Sequence, residues 1–115
     1  MSYVDGFVAA VPDAKKDAYV EHARHAWAVF KEFGALHSFE CWGDDVPEGK
    51  LTDFHRAVKR EDGETVVFSW IVWPDKATRE AGWQKMMADE RMTGMEMPFD
   101  GKRMIYGGFT PIFEA

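Results

Sequence analysis

Cysteine is nearly absent from this chain of 115 residues, and its one example, Cys41, has no partner for an internal disulfide. The first residues show no basic, apolar and small-residue series of the secretory kind, so a reducing, cytoplasmic setting is expected. Long hydrophobic runs are missing too. The longest, Val66 to Trp73, is interrupted by Ser69 and falls far short of the roughly 20 residues that span a bilayer, so no membrane partner is expected. Positive charge is outweighed, 14 Lys and Arg against 20 Asp and Glu, for a net charge of -6. Lys15-Lys16 and Lys102-Arg103 are only short basic pairs, too little for a phosphate backbone, and nucleic acid is not an expected partner. Histidine is confined to His22, His25, His37 and His55, which form no recognisable ligand set. The turn-rich stretch Gly43 to Lys50 holds Asp44 and Asp45 but lacks the ligand period of a calcium loop. No metal, haem or other cofactor is therefore expected.

What the chain does have is apolar mass: 46% hydrophobic residues and five Trp. That is enough for one globular domain over residues 1–115 with a single core. Tyr3 to Val11, rich in Val and Phe and stopped by Pro12, reads as a strand. A helix follows, with Pro12 at its first turn, Asp13 and Asp17 favouring its positive end and Gly34 closing it. Tyr19, Ala23, Ala26, Phe30 and Phe33 recur at spacings of three and four and make one buried stripe. Ala35 to Trp42 is a second strand, Phe54 to Arg60 is ambiguous, and Glu64 to Trp73 is the clearest strand. Asp75 caps a second helix running to about Met92, and Arg103 to Phe113 is the last strand.

The order βαββαβ is the ferredoxin-like plan of the α+β class, an antiparallel sheet with both helices on one face. In the third strand Val66, Phe68, Trp70 and Val72 point one way and Val67, Ile71 and Trp73 the other, so both faces are apolar while the helices shield only one. A homodimer packed through the sheet faces is the expected remedy.

Four blocks carry a resemblance: Tyr3-Val4-Asp5-Gly6-Phe7, Gly43 to Lys50, Val66-Val67-Phe68-Ser69-Trp70, and Met97 to Phe109. In this order they resemble the small bacterial YbaA-like family of unknown function, over nearly the whole chain. The resemblance implies the dimeric α+β barrel superfamily, which holds cofactor-free monooxygenases, haem-degrading enzymes, lactone isomerases and pure binding modules. It implies a fold far more narrowly than a chemistry, and no catalytic residue comes with it.

The residues themselves nominate a site. Asp5 lies between apolar neighbours in an expected central strand, where a buried carboxylate must be paired, solvated or protonated. Gly107-Gly108, flanked by Tyr106 and Phe109, marks a bulge or a close approach in the last strand. If the first and last strands pair, the glycines fall near Asp5-Gly6 and hollow a pocket with Asp5 and Tyr106 on its rim. Asp5, Tyr106 and Arg103 are then the candidate catalytic residues, and Tyr3, Phe7, Trp70, Gly107 and Gly108 the candidate substrate contacts. The structural alternative has Asp5 paired with Arg103, Arg56 or a backbone turn, and the glycines serving curvature. His22 and His25, three apart, read as boundary residues of the first helix. Met86 to Met97 reads either as core filler or as an adaptable binding lip. Two functions follow: a small enzyme of the cofactor-independent monooxygenase or isomerase kind acting on an apolar or aromatic molecule, or a non-catalytic homodimeric ligand-binding or protective module.

Overall fold

Proline closes the first strand and turns the chain toward the first helix. In the computed structural model, which describes residues 1–115, β1 (Tyr3–Pro12) ends where Pro12 takes φ -55° and a short 3-10 turn over Asp13–Lys15 begins. The helix α1 (Lys16–Glu32) follows and buries Tyr19, Ala26, Val29 and Phe30, the stripe that the three-and-four spacing lays along one side. It stops at Gly34, whose φ of 110° only glycine adopts readily, and a Cβ there would press on Thr78 at 2.6 Å. Next come β2 (His37–Trp42), the single-turn helix α2 (Phe54–Ala57) and β3 (Glu64–Trp73). The helix α3 (Lys76–Ala88) is capped by Asp75, whose carboxylate accepts the Thr78 amide at 2.7 Å. The last strand is β4 (Ile105–Phe109).

This is an α+β fold around one four-stranded antiparallel sheet in the order β2-β3-β1-β4. The long strands β1 and β3 pair over their full length at its centre, from Tyr3 opposite Trp73 to Pro12 opposite Glu64. Alternation sends Asp5, Ala9, Val11, Val67, Ser69, Ile71 and Trp73 to the side of α1 and α3, where all are buried. Trp73, fully buried, meets Phe30 edge to face with centroids 6.0 Å apart. Gly82 lets α3 settle on that indole, since a Cβ there would lie 2.7 Å from its ring.

The opposite side of the sheet is covered only at one end. There the chain after α2 buries Val58 against Ala10 and Val66. Elsewhere Phe39, Phe68, Ile105 and Phe109 remain 41–61% exposed.

Several boundaries depart from the sequence expectation. α3 ends at Ala88 rather than near Met92, because Asp89 turns extended and its carboxylate accepts the Arg91 amide at 2.8 Å. β4 spans five residues, not the stretch from Arg103 to Phe113: a second 3-10 turn takes Gly101–Arg103, and Thr110-Pro111 leaves the sheet. The ambiguous Phe54 to Arg60 holds one helical turn, closed at Lys59 with φ 49°. No helix is long and apolar enough to cross a membrane.

Candidate functional site

The helix side of the sheet encloses a cavity of about 390 Å³ between α1, α3, the sheet and the segment that follows α3. Trp27 and Phe30 of α1 and Trp83 and Met86 of α3 form its apolar wall. Residues 92–99 lie across it and contribute Met92, Met95, Met97 and Phe99. This segment has no regular structure of its own and is tied down by Arg91, which pairs with Glu32 and Asp89 while its carbonyl oxygen lies 2.9 Å from His25 Nε2. Met-rich walls of this kind adapt their shape at little cost.

Polar side chains gather on one side of the cavity. Glu40 of β2 lies directly opposite Ser69 of β3, and the Tyr19 hydroxyl of α1 donates to Glu40 Oε1 at 2.5 Å. One helical turn beyond Tyr19, His22 also lines the cavity, and its Nδ1 is shut off from solvent without a hydrogen-bond partner. Phe99 packs on both, 5.7 Å from the Tyr19 ring and 6.4 Å from the imidazole, centroid to centroid. Glu40 stands on an edge strand with much of its surface exposed, and its carboxyl is held by the Tyr19 hydroxyl. Burial pushes that carboxyl above the usual glutamate range, against the opposing pull of hydrogen bonds from Tyr19 and Ser69. Burial, reinforced by the Glu40 charge, raises Tyr19 far above its ordinary value. Burial and then the neighbouring His25 hold His22 below the usual histidine value, which favours neutral imidazole. The result is a carboxyl, a phenol, a hydroxyl and an imidazole facing one apolar space that no Lys or Arg lines.

Asp5 belongs to a different cluster. It is 2% exposed and saturated by donors from the chain itself. Trp73 Nε1 and Trp83 Nε1 donate to Oδ2 at 2.9 and 2.8 Å, while Arg79 Nη2 donates to Oδ1 at 2.6 Å and Nε reaches both oxygens at 3.1 Å. The partner is thus Arg79, not Arg103 or Arg56. Gly108 lies opposite Asp5, as strand pairing suggests, and its missing side chain makes room for Tyr3 and Arg79. Tyr3 in turn lies under the Arg79 guanidinium, 5.2 Å from ring to cation.

The other nominated residues are dispersed. Phe7 lines the cavity, and Tyr106, 73% exposed at the sheet edge, stacks against Phe7 at 6.5 Å. Trp70 and Gly107 sit on the opposite face of the sheet, in a shallow groove with Val4, Gly6, Val8 and Phe109. Arg103 grips the Glu64 carboxylate with two nitrogens at 2.8 Å and Asp100 at 3.0 Å. That places it near the far end of β1, where Glu64 pairs with Pro12, roughly 23 Å along the strand from Asp5. The residues that sequence reasoning passed over are Glu40, Ser69 and the polar role of Tyr19 and His22. Only the β2–β3 register, with Glu40 opposite Ser69, brings them under α1.

Comparison with known proteins supplies kinship. The model of a protein family described as "Protein of unknown function (DUF1428)" matches residues 2–101. The "Uncharacterized protein YbaA" of Escherichia coli K12 is 63% identical over 116 residues, covering 99% of either chain, and the Shigella flexneri protein of the same description matches equally well.

Proposed function

Because the chain belongs to the DUF1428 family of YbaA-like proteins, whose description names no activity, function has to be read from the site, and we propose that this protein binds a small apolar molecule in the cavity beneath α1 and α3. One observation carries the proposal: a space of about 390 Å³ walled by Trp27, Phe30, Trp83 and methionines meets a few polar side chains at one place. Sites for small organic molecules have this form, a few hundred Å³ of apolar wall with a few polar groups that orient the ligand. Asp5 serves that site at one remove. Its bond to Trp83 Nε1 holds a wall residue in place, so we assign Asp5 and Arg79 to positioning the wall and not to touching the ligand. Among the nominated contacts Phe7 lines this cavity, while Arg103 anchors the turn before β4. Both the cofactor-independent enzyme and the non-catalytic binding module use the same walls, and the acidic group on them favours the enzyme.

A second part of the proposal concerns assembly. We read residues 1–115 as one domain on the ferredoxin-like plan and infer that its open face pairs with a second copy, as in a dimeric α+β barrel. Exposed Phe39, Phe68, Ile105 and Phe109 on one side of the sheet, with Ile112 and Phe113 exposed just beyond β4, support it. Such an apolar expanse exceeds what a monomer usually leaves in water.

The binding proposal is tested by isothermal titration with 2-naphthol, a neutral two-ring molecule with one hydroxyl. One site per chain is expected in the wild type and none in Ala23→Phe, which places a ring in the cavity. If saturating 2-naphthol produces neither heat nor a rise in Tm, the proposal fails.

A further inference from the structure

The polar side of the cavity offers more than orientation. A carboxylate accepts about four hydrogen bonds, and Tyr19 and Ser69 occupy only part of that capacity. One helical turn from Tyr19, the His22 imidazole lines the same cavity, and its buried Nδ1 has no partner in the chain. Buried unsatisfied polar atoms are uncommon, and an imidazole without a partner on the wall of a cavity that also holds an acid is suited to a group that arrives with a ligand. The absence of Lys and Arg from the lining, with Glu40 on the wall, leaves an anionic ligand no counter-charge. A neutral molecule with one oxygen fits instead.

We propose that Glu40 and His22 catalyse proton transfer on a neutral, apolar carbonyl compound with an acidic C–H next to its carbonyl, Glu40 being the base and His22 the hydrogen-bond donor to the carbonyl oxygen. The assignment deepens the binding proposal and rests on it. The C–H bond breaks toward a Glu40 oxygen, its electron pair becomes the C=C bond of an enolate, and the carbonyl π pair moves onto oxygen. The imidazole N–H donates to that oxygen. The proton then returns from Glu40 to the same carbon or, in a conjugated enolate, to the far end of the π system, which isomerises the compound. Nothing is oxidised or reduced, and no co-reactant is consumed.

The surroundings match the task. A carboxyl raised by burial is a stronger base than one in water, and a histidine kept neutral donates without placing a charge in an apolar space. Tyr19 steadies the charged form of Glu40 through its 2.5 Å bond. The groups acting on Glu40 are Tyr19 from α1 and Ser69 from β3, and His22 lines the same cavity; Lys16 lies over Trp42, two residues along the same strand, and His25 is turned to the Arg91 carbonyl.

The probe is 2-tetralone, a two-ring ketone whose uptake of deuterium next to the carbonyl is followed by NMR in D₂O. The wild-type protein is expected to speed exchange roughly 100-fold over buffer. Glu40→Gln is expected to return it to the buffer rate while 2-tetralone still binds by titration. Tyr19→Phe is expected to keep exchange but move its pH profile upward, a shift that a merely structural role would not produce. Bound 2-tetralone exchanging at the buffer rate, or undiminished exchange in Glu40→Gln, overturns the catalytic assignment and leaves the binding proposal standing. Binding of 2-naphthol without 2-tetralone overturns the carbonyl class, and binding of neither overturns both.

Discussion

Arg79 clasps Asp5 across 74 positions of sequence, its Nη2 2.6 Å from Oδ1 and its Nε 3.1 Å from both carboxylate oxygens. Two indole N–H groups complete the shell, so one carboxylate ties the start of β1 to the end of β3 and to α3. Asp5→Ala leaves a partly buried guanidinium and two indoles without their acceptor. A loss of about 3–5 kcal/mol is expected in urea unfolding. Arg79→Lys, which keeps the charge but not the two-pronged grip, is expected to fall between Asp5→Ala and the wild type.

The two adjacent glycines should answer differently to substitution. A Cβ at Gly108 would approach Tyr3 Cε2 at 2.8 Å and Arg79 Nη2 at 3.0 Å, whereas one at Gly107 would meet only the Phe109 ring at 3.5 Å. Gly108→Ala is expected to cost about 1–3 kcal/mol by thermal unfolding, because Tyr3 and then the Arg79 guanidinium bonded to Asp5 must give way. Gly107→Ala should be within about 0.5 kcal/mol of the wild type. Equal costs at the two positions would contradict this account of Gly108.

Acid should loosen the fold through Glu64. Hydrogen bonds from Arg103 hold its carboxyl at about 2, against an ordinary 4.5. Since the folded value lies below the unfolded one, the native state binds fewer protons than the unfolded state in between. The stabilisation is therefore complete above pH 4.5 and lost as the pH falls toward 2. Arg103→Met is expected to lower the urea midpoint at pH 7 and to flatten its dependence on pH across that window. A slope unchanged in the variant would assign the acid sensitivity elsewhere.

Assembly has its own check. Sedimentation equilibrium at micromolar concentration is expected to give twice the 13.2 kDa chain mass. Trp70→Glu and Phe109→Glu, which place charge in the bare groove of the sheet, are expected to yield folded monomers. Wild-type protein sedimenting as a single chain would remove the dimer from the proposal.

The central strands and the first helix were legible in sequence because their apolar residues repeat at periods set by backbone geometry. Glu64 to Trp73 and the Tyr19-to-Phe30 stripe are examples. Ends were less so, since Asp89 and Thr110-Pro111 stop α3 and β4 by local hydrogen bonding and backbone restriction that periodicity does not register. Asp5 stood out as an acid among apolar neighbours. Arg79 did not, because a single Arg in a helix carries no mark of the residue it will reach. Glu40 lay in a short strand where a charged residue looks like ordinary solvent-facing alternation, and only pairing with Ser69 turns it inward.

Gly82 carries one more implication. The backbone of α3 rests on the Trp73 ring there, and Arg79 and Trp83 on either side are both bonded to Asp5. Beyond Trp83 no polar bond holds the helix to the sheet in this way; Met86 is buried, but Met87 is 81% exposed. Mechanically α3 is fastened to the sheet by polar bonds over residues 79–83, while its methionine end is held by the packing of Met86 and, through Arg91, by α1. The slowest hydrogen exchange in this helix should therefore be found beside the glycine, with faster amides toward Ala88, where packing alone holds the helix.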